Sequence, residues 1–189
     1  LGRVGAEVVS ATFYHHSVEM VSSAIPLAWS IASPARIVAA RFEAVDQALR
    51  RLLPQQIESA QIVEAVELVR EAVIGCSLAG RPLFAAHAAL PWPSEPHVAL
   101  WHGLNLFREH RGEGHTSAVM AARLTPAQTA PLLIAATGEA RENRAWRWPD
   151  DVWNKAVAEL QERGWLDDAE GLTNDGLAAR TCIEEETDG

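Results

Sequence analysis

The chain has 189 residues, 48% of them hydrophobic and 22% charged, enough to bury a core and too apolar for global disorder. No stretch approaches the roughly 18 unbroken apolar residues that a membrane helix needs. Acids outnumber bases 25 to 16, and residues 139–189 alone hold 14 acids against 6 bases, a poor surface for a phosphate backbone.

Residues 6–24 read as a helix, with Val8, Val9, Phe13, Val18 and Val21 near helical spacing and Pro26 ending it. Residues 27–33 read as a short apolar link. Ser33-Pro34 is a cap followed by proline at the first helical position, and opens a helix that Pro54 stops. Its expected buried stripe is Ile37, Ala40, Ala44, Val45, Ala48, Leu49 and Leu52. Residues 57–78 repeat the pattern through Ile57, Ala60, Val63, Val66, Val69 and Val73. Gly80-Arg81-Pro82 breaks the chain before a short helical piece at 83–89.

Trp92-Pro93-Ser94-Glu95-Pro96 is a rigid connector to a helix from about His97 to His110. Gly112 and Gly114 are expected to interrupt that helix, with a second segment from His115 to Arg123. Thr125-Pro126 starts another helix, ending at Gly138. A helix over 151–163 terminates at Gly164, a glycine just past the helix end. Trp165-Leu166 and Gly171-Leu172-Thr173 read as two short strands around the turn Asp167-Asp168-Ala169-Glu170, and Asn174 starts a final helix. Trp146, Trp148, Trp153 and Trp165 are expected to build the core of this last module. The fold class is therefore mainly α. A helical bundle over 1–124 is followed by a C-terminal winged helix-turn-helix-like module over 125–189 with a two-strand wing, the two packed as one unit.

Only two cysteines occur, Cys76 and Cys182, with no CxxC pattern. A disulfide framework and a structural zinc site are not expected, and a reducing cytoplasm is the expected compartment. Leu1 opens the chain without an initiator Met or a signal-peptide pattern, as in a fragment or an incompletely ordered chain.

The densest polar run is His102 to His115, with three His, two Arg and two Glu in fourteen residues. His102 and Glu109 share a helix face two turns apart, and His102 and Asn105 stack at i, i+3. Arg108 and Arg111 form another i, i+3 pair able to clamp a carboxylate, sulfate or phosphate. A helix starting at His115 would offer free N–H groups to an anion. The expected catalytic groups are His102, Glu109, His110, Glu113 and His115, the histidines moving protons and the glutamates orienting them or acting as bases. The expected ligand-binding groups are Arg108, Arg111, Asn105, Trp101 and Tyr14. The bland reading makes Glu109, Arg111 and Glu113 solvated loop charges and the histidines local caps. His110 and His115 are five apart across the glycines, which matches no metal-ligand spacing, so neither metal nor cofactor is expected. His15-His16 reads as an exposed pair, and His87 and His97 as core or cap histidines. No Gly-rich phosphate loop, GxSxG elbow or HExxH occurs.

The stretches "GAEVVSATFY", "AARFEAVDQALRRLL" and "GRPLFAAHAALPWPSEPHVALWHGLNLFREHRGEGHTSAVMAARL", with "VAELQERGWLDDAEGLTNDGLAARTCIEEETD", resemble an uncharacterised actinobacterial helix-turn-helix family, the group named after a Streptomyces coelicolor reading frame. Its most specific element is Leu106-Phe107-Arg108-Glu109-His110-Arg111-Gly112-Glu113-Gly114-His115, where the family reads L-R-E-H-R-G-D-G-H. Glu113 stands in place of the usual Asp, and His15-His16 depart from the Asn and aromatic common there. The resemblance implies a segment upstream of Leu1 and a setting in natural-product metabolism, and it carries no settled activity.

Three functions are weighed. The first is a small-molecule-binding protein or enzyme acting on a polar or anionic metabolite, its pocket around His102–His115. The second is a non-catalytic partner subunit of a biosynthetic complex, or a homo-oligomer. The third is a winged-helix transcription regulator sensing a small ligand. Charge opposes the third, because a reading helix at 151–163 carries Asp151, Glu159 and Glu162, and the turn at 167–170 would aim three carboxylates at phosphates. Nucleic acid and membrane partners are thus not expected.

Overall fold

The computed structural model describes residues 2–138 and 148–189, so Trp146 and the link carrying it lie outside the described residues. The chain divides into two compact units, one of residues 1–4 and 27–113, the other of 5–26 and 114–189. The chain order expected from sequence places the division at 124. The contacts place it within one helix instead and group residues 5–26 with the C-terminal part.

In the first unit lie α3 (Leu27–Ile31), α4 (Pro34–Leu52), α5 (Ala60–Ile74), α6 (Pro82–Ala88) and most of α7 (Pro96–Ala121). The expected link at 27–33 is a helical turn. Ser33 caps α4, its hydroxyl accepting from Arg36 N. The packed face of α4 is rotated from the expected one: Ile37, Ala40, Ala44 and Leu52 are exposed, while Val38, Arg41, Phe42, Val45, Asp46 and Leu49 turn inward. The many alanines here bury little area on any face, so the large Phe42 sets the phase. In α5 the inward residues are Ile62, Val66, Val69, Arg70 and Val73, with Val63 exposed.

Helix α7 runs unbroken through Gly112 and Gly114, which corrects the expected interruption and removes the helix start at His115. A helical glycine costs only about 1 kcal/mol relative to alanine. The buried Leu106, Ala118 and Val119 on either side of the glycines outweigh that cost. Gly103 does the opposite job. A Cβ there would overlap Val69 Cγ1 and stand 3.0 Å from Trp92, so its absence lets α5 cross α7 in contact.

The second unit contains α1 (Ala6–Phe13), α2 (Val18–Ser22), the end of α7, α8 (Pro126–Thr137), α9 (Asp150–Glu162) and α10 (Asn174–Asp188). The single helix expected over 6–24 is two helices, because the buried Ser17 caps a new start by accepting from Met20 N at 3.1 Å. Gln128 closes the first turn of α8 by accepting from Thr125 N at 2.9 Å, and donates to Glu159 of α9 at 2.8 Å. The core comprises Ala118, Val119, Leu124, Ala130, Leu132, Trp153, Val157, Leu160, Leu166 and Ile183. Trp148 and Trp165 pack against it.

The expected two-strand wing shrinks to one antiparallel bridge, Leu166↔Leu172, the only β pairing among the described residues. Asp167 consumes the turn: its side chain accepts from Ala169 N and Gly171 N, so the ladder closes at once. Gly176, at the start of α10, lies so close to the hairpin that a Cβ would overlap the Trp165 carbonyl oxygen.

Candidate functional site

In the first unit, α7 buries a polar stripe of His102, Asn105, Glu109 and Glu113, spaced so that they share one face. The carboxylate of Glu113 accepts from Leu83 N at 2.7 Å and Phe84 N at 2.8 Å. It thereby caps α6 from another helix, where a negative charge also suits the helix dipole. Arg81 Nε donates to the His110 carbonyl at 3.1 Å, and the His110 ring packs edge-on to Phe84. Glu113 and His110 thus tie α6 to α7.

Asn105 lies 3.4 Å from His87 Nδ1, and Arg41 Nη1 lies 3.5 Å from His87 Nε2. Glu109 accepts from Arg108 at 2.7 Å, and the Arg108 side chain is 75% exposed. Arg111 is exposed too, so the two arginines of the expected clamp stand on the outer surface of α7. His102 is enclosed by Phe42 and Trp92, both edge-on. Trp101 packs on Phe42 and lies under Arg41. Burial pushes the His102 imidazole below its ordinary value, with the nearby Arg41 and Arg70 adding to the effect. His97 behaves as a structural histidine, its Nε2 donating to Asp46 at 2.6 Å.

The second unit holds a cavity of about 150 Å³. Its apolar wall is Val119, Leu124, Leu132, Leu133 and Ile183, and its polar groups include Tyr14, His15, His115, Arg180 and Glu184. Of the expected site residues, Tyr14 and His115 are the two that line it. Tyr14 is held at φ 59°, ψ −62°, with His15 N donating to Phe13 O at 2.7 Å. That is a γ-turn of the strained hand, rare for a residue with a side chain. The Tyr14 hydroxyl, donating to Leu124 O at 2.6 Å, holds it there.

His115 Nδ1 meets Thr187 Oγ1 at 3.0 Å, and the Thr187 hydroxyl donates to Ile183 O. The hydroxyl hydrogen is already used, so His115 Nδ1 is the donor, and in the neutral ring Nε2 is the basic nitrogen. His15 is pushed down to about 4, chiefly by burial and then by His16 and His115, so it is uncharged at neutral pH. The expected exposed pair His15-His16 is instead partly buried, because α1 ends at Phe13 and the turn carries His15 inward.

Four residues are not found by pattern alone. Arg41 and Arg70 lie on inward faces of α4 and α5, and their signal is a charge at an otherwise apolar phase. His15 stands out as one of a pair, but the helix expected to carry it ends before it. Arg180 is far from His115 along the chain, and nothing in its local sequence marks it.

Comparison with curated proteins and with solved structures finds no match in either. No helix among the described residues is long and apolar enough to cross a membrane. A model of a helix-turn-helix family matches residues 1–189, and the chain belongs to that helix-turn-helix family.

Proposed function

We propose that this chain is a small-molecule-binding protein whose ligand occupies the cavity of the second unit. The observation that carries the reading is the cavity itself, an apolar chamber with an uncharged His15 and an oriented His115 in its wall. A chamber of about 150 Å³ suits a molecule the size of benzene or phenol. The ligand is therefore mainly apolar and carries a hydroxyl or similar group that can hydrogen-bond to the imidazoles of the wall. This revises the anionic metabolite expected from Arg108 and Arg111. Of the residues expected to do acid–base work, His115 is the one that lines this chamber.

Among the described residues, the regulator reading is disfavoured by the fate of Lys155 of α9 and of Arg163 just after it. Arg163 donates to the Ala122 and Arg123 carbonyls and stacks on Trp165 at 3.8 Å from the ring centre. Lys155 pairs with Glu159 at 3.8 Å. The hairpin turn exposes Asp167, Asp168 and Glu170. The carboxylates of this turn repel phosphates.

The test is ligand-observed NMR with phenol, p-cresol and short alcohols. Binding that disappears in a folded Leu133→Trp variant and weakens in His115→Gln supports the proposal. No binding by any of these probes, or equal binding by Leu133→Trp, refutes it.

A further inference from the structure

Two half-buried guanidinium groups in the first unit find no carboxylate partner among the described residues. Arg41 of α4 lies 4.7 Å from the centre of the Trp101 ring, and Arg70 of α5 lies 4.3 Å from that of Trp92. Among the described residues neither has a carboxylate within ion-pair distance. Arg70 Nε is buried without a hydrogen-bond acceptor. So is Nε2 of His102, a residue only 2% exposed. Orphaned buried polar groups of this kind cost about 1–3 kcal/mol each, so two side by side call for an explanation.

They are side by side for a reason visible in the backbone. The contact of Val69 with Gly103 sets the next residue of α5, Arg70, against the preceding residue of α7, His102, and both pack on Trp92. From the other side Phe42 touches His102, and its neighbour Arg41 reaches His87. The nearby carboxylate of Glu109 is already bonded to Arg108. The local charge is thus an excess of cations, offset in part by Glu109, whose carboxylate also acts on Arg41. His87 is held down to about 4 by burial and then by Arg41.

We propose that Arg41, Arg70 and His102 form a binding site for a small oxyanion, the phosphate or carboxylate group of a small molecule. Two guanidinium forks supply charge and paired donors, and His102 Nε2 supplies a third direction in the tautomer that places the ring hydrogen there. Trp92, Trp101 and Phe42 give the molecule's flat apolar body a wall. The site is separate from the cavity of the second unit and does not depend on a ligand there.

Calorimetric titration and thermal melts with inorganic phosphate, phenyl phosphate and benzoate, at fixed ionic strength with chloride as the control, test it. The expected result is saturable binding of at least one oxyanion and a melting temperature that rises with its concentration. Arg41→Gln and Arg70→Gln should each weaken binding about tenfold or more, whereas the exposed Arg51→Gln should not. Preference for phenyl phosphate over inorganic phosphate would assign the aromatic wall to the ligand body, and equal affinity would confine the site to the anion. Should a glutamine variant fail to fold, Arg70→Lys keeps the charge but loses the fork, and should bind several-fold more weakly. Response no greater than to chloride, or equal loss in Arg51→Gln, overturns the proposal.

Discussion

Glu113 shows how a single side chain can look like a general base and serve as a cap. Its two oxygens accept from Leu83 N and Phe84 N. Replacing it with Gln leaves one acceptor and removes the charge from the α6 start. Urea denaturation should register a loss of about 1–3 kcal/mol in Glu113→Gln. The titration of His15 gives a second expectation at this scale. Its folded value is about 4 against an ordinary 6.5, so below pH 6.5 the unfolded chain takes up a proton that the folded chain refuses. Stability should therefore fall as pH drops from about 6.5 towards 4, and be fully present above 6.5. Solvent screening of the partly exposed ring reduces the effect, so the loss should be on the order of 1 kcal/mol between pH 7.5 and 5. His15→Gln should remove that share of the slope and leave the share of His87, which is likewise held down to about 4. Denaturant midpoints across this range check the sign.

At the scale of elements, two glycines of α7 make opposite predictions. Gly103→Ala places a methyl against Val69 and Trp92, and should cost about 1–3 kcal/mol, with Val69→Ala recovering part of it. Gly112 has open space around it, so Gly112→Ala should stabilise the helix by about 0.5–1 kcal/mol. Thermal melts of the three variants decide both. The same pair explains what sequence could and could not reveal. The caps at Ser33 and Thr125 and the stop at Gly164 are local chemistry, and the helices they bound lie where expected. A glycine inside a helix is ambiguous until its neighbours are known, so Gly112 and Gly114 read as a break. The polar stripe of α7 was legible because its period is the helix's own. The cavity was not, because His15, His115 and Arg180 are far apart in the chain and meet only through packing.

Across the whole molecule, the two units differ in how they hold together. The second has a continuous core built on Trp153, Leu160 and Leu166. In the first, α4 has no fully buried residue, and Leu68 and Ile74 of α5 are 61% and 85% exposed. Hydrogen exchange should accordingly be slower through α8 and α9 than through α4. Protection in α4 equal to that in α9 would contradict this.

The tight seat of Gly176 under the Trp165 carbonyl bears on how this fold can drift over time. Alanine, the smallest change available, already needs the hairpin and α10 to part. Wherever a descendant chain keeps this hairpin, position 176 is a fixed letter. Diverged sequences can be aligned on it.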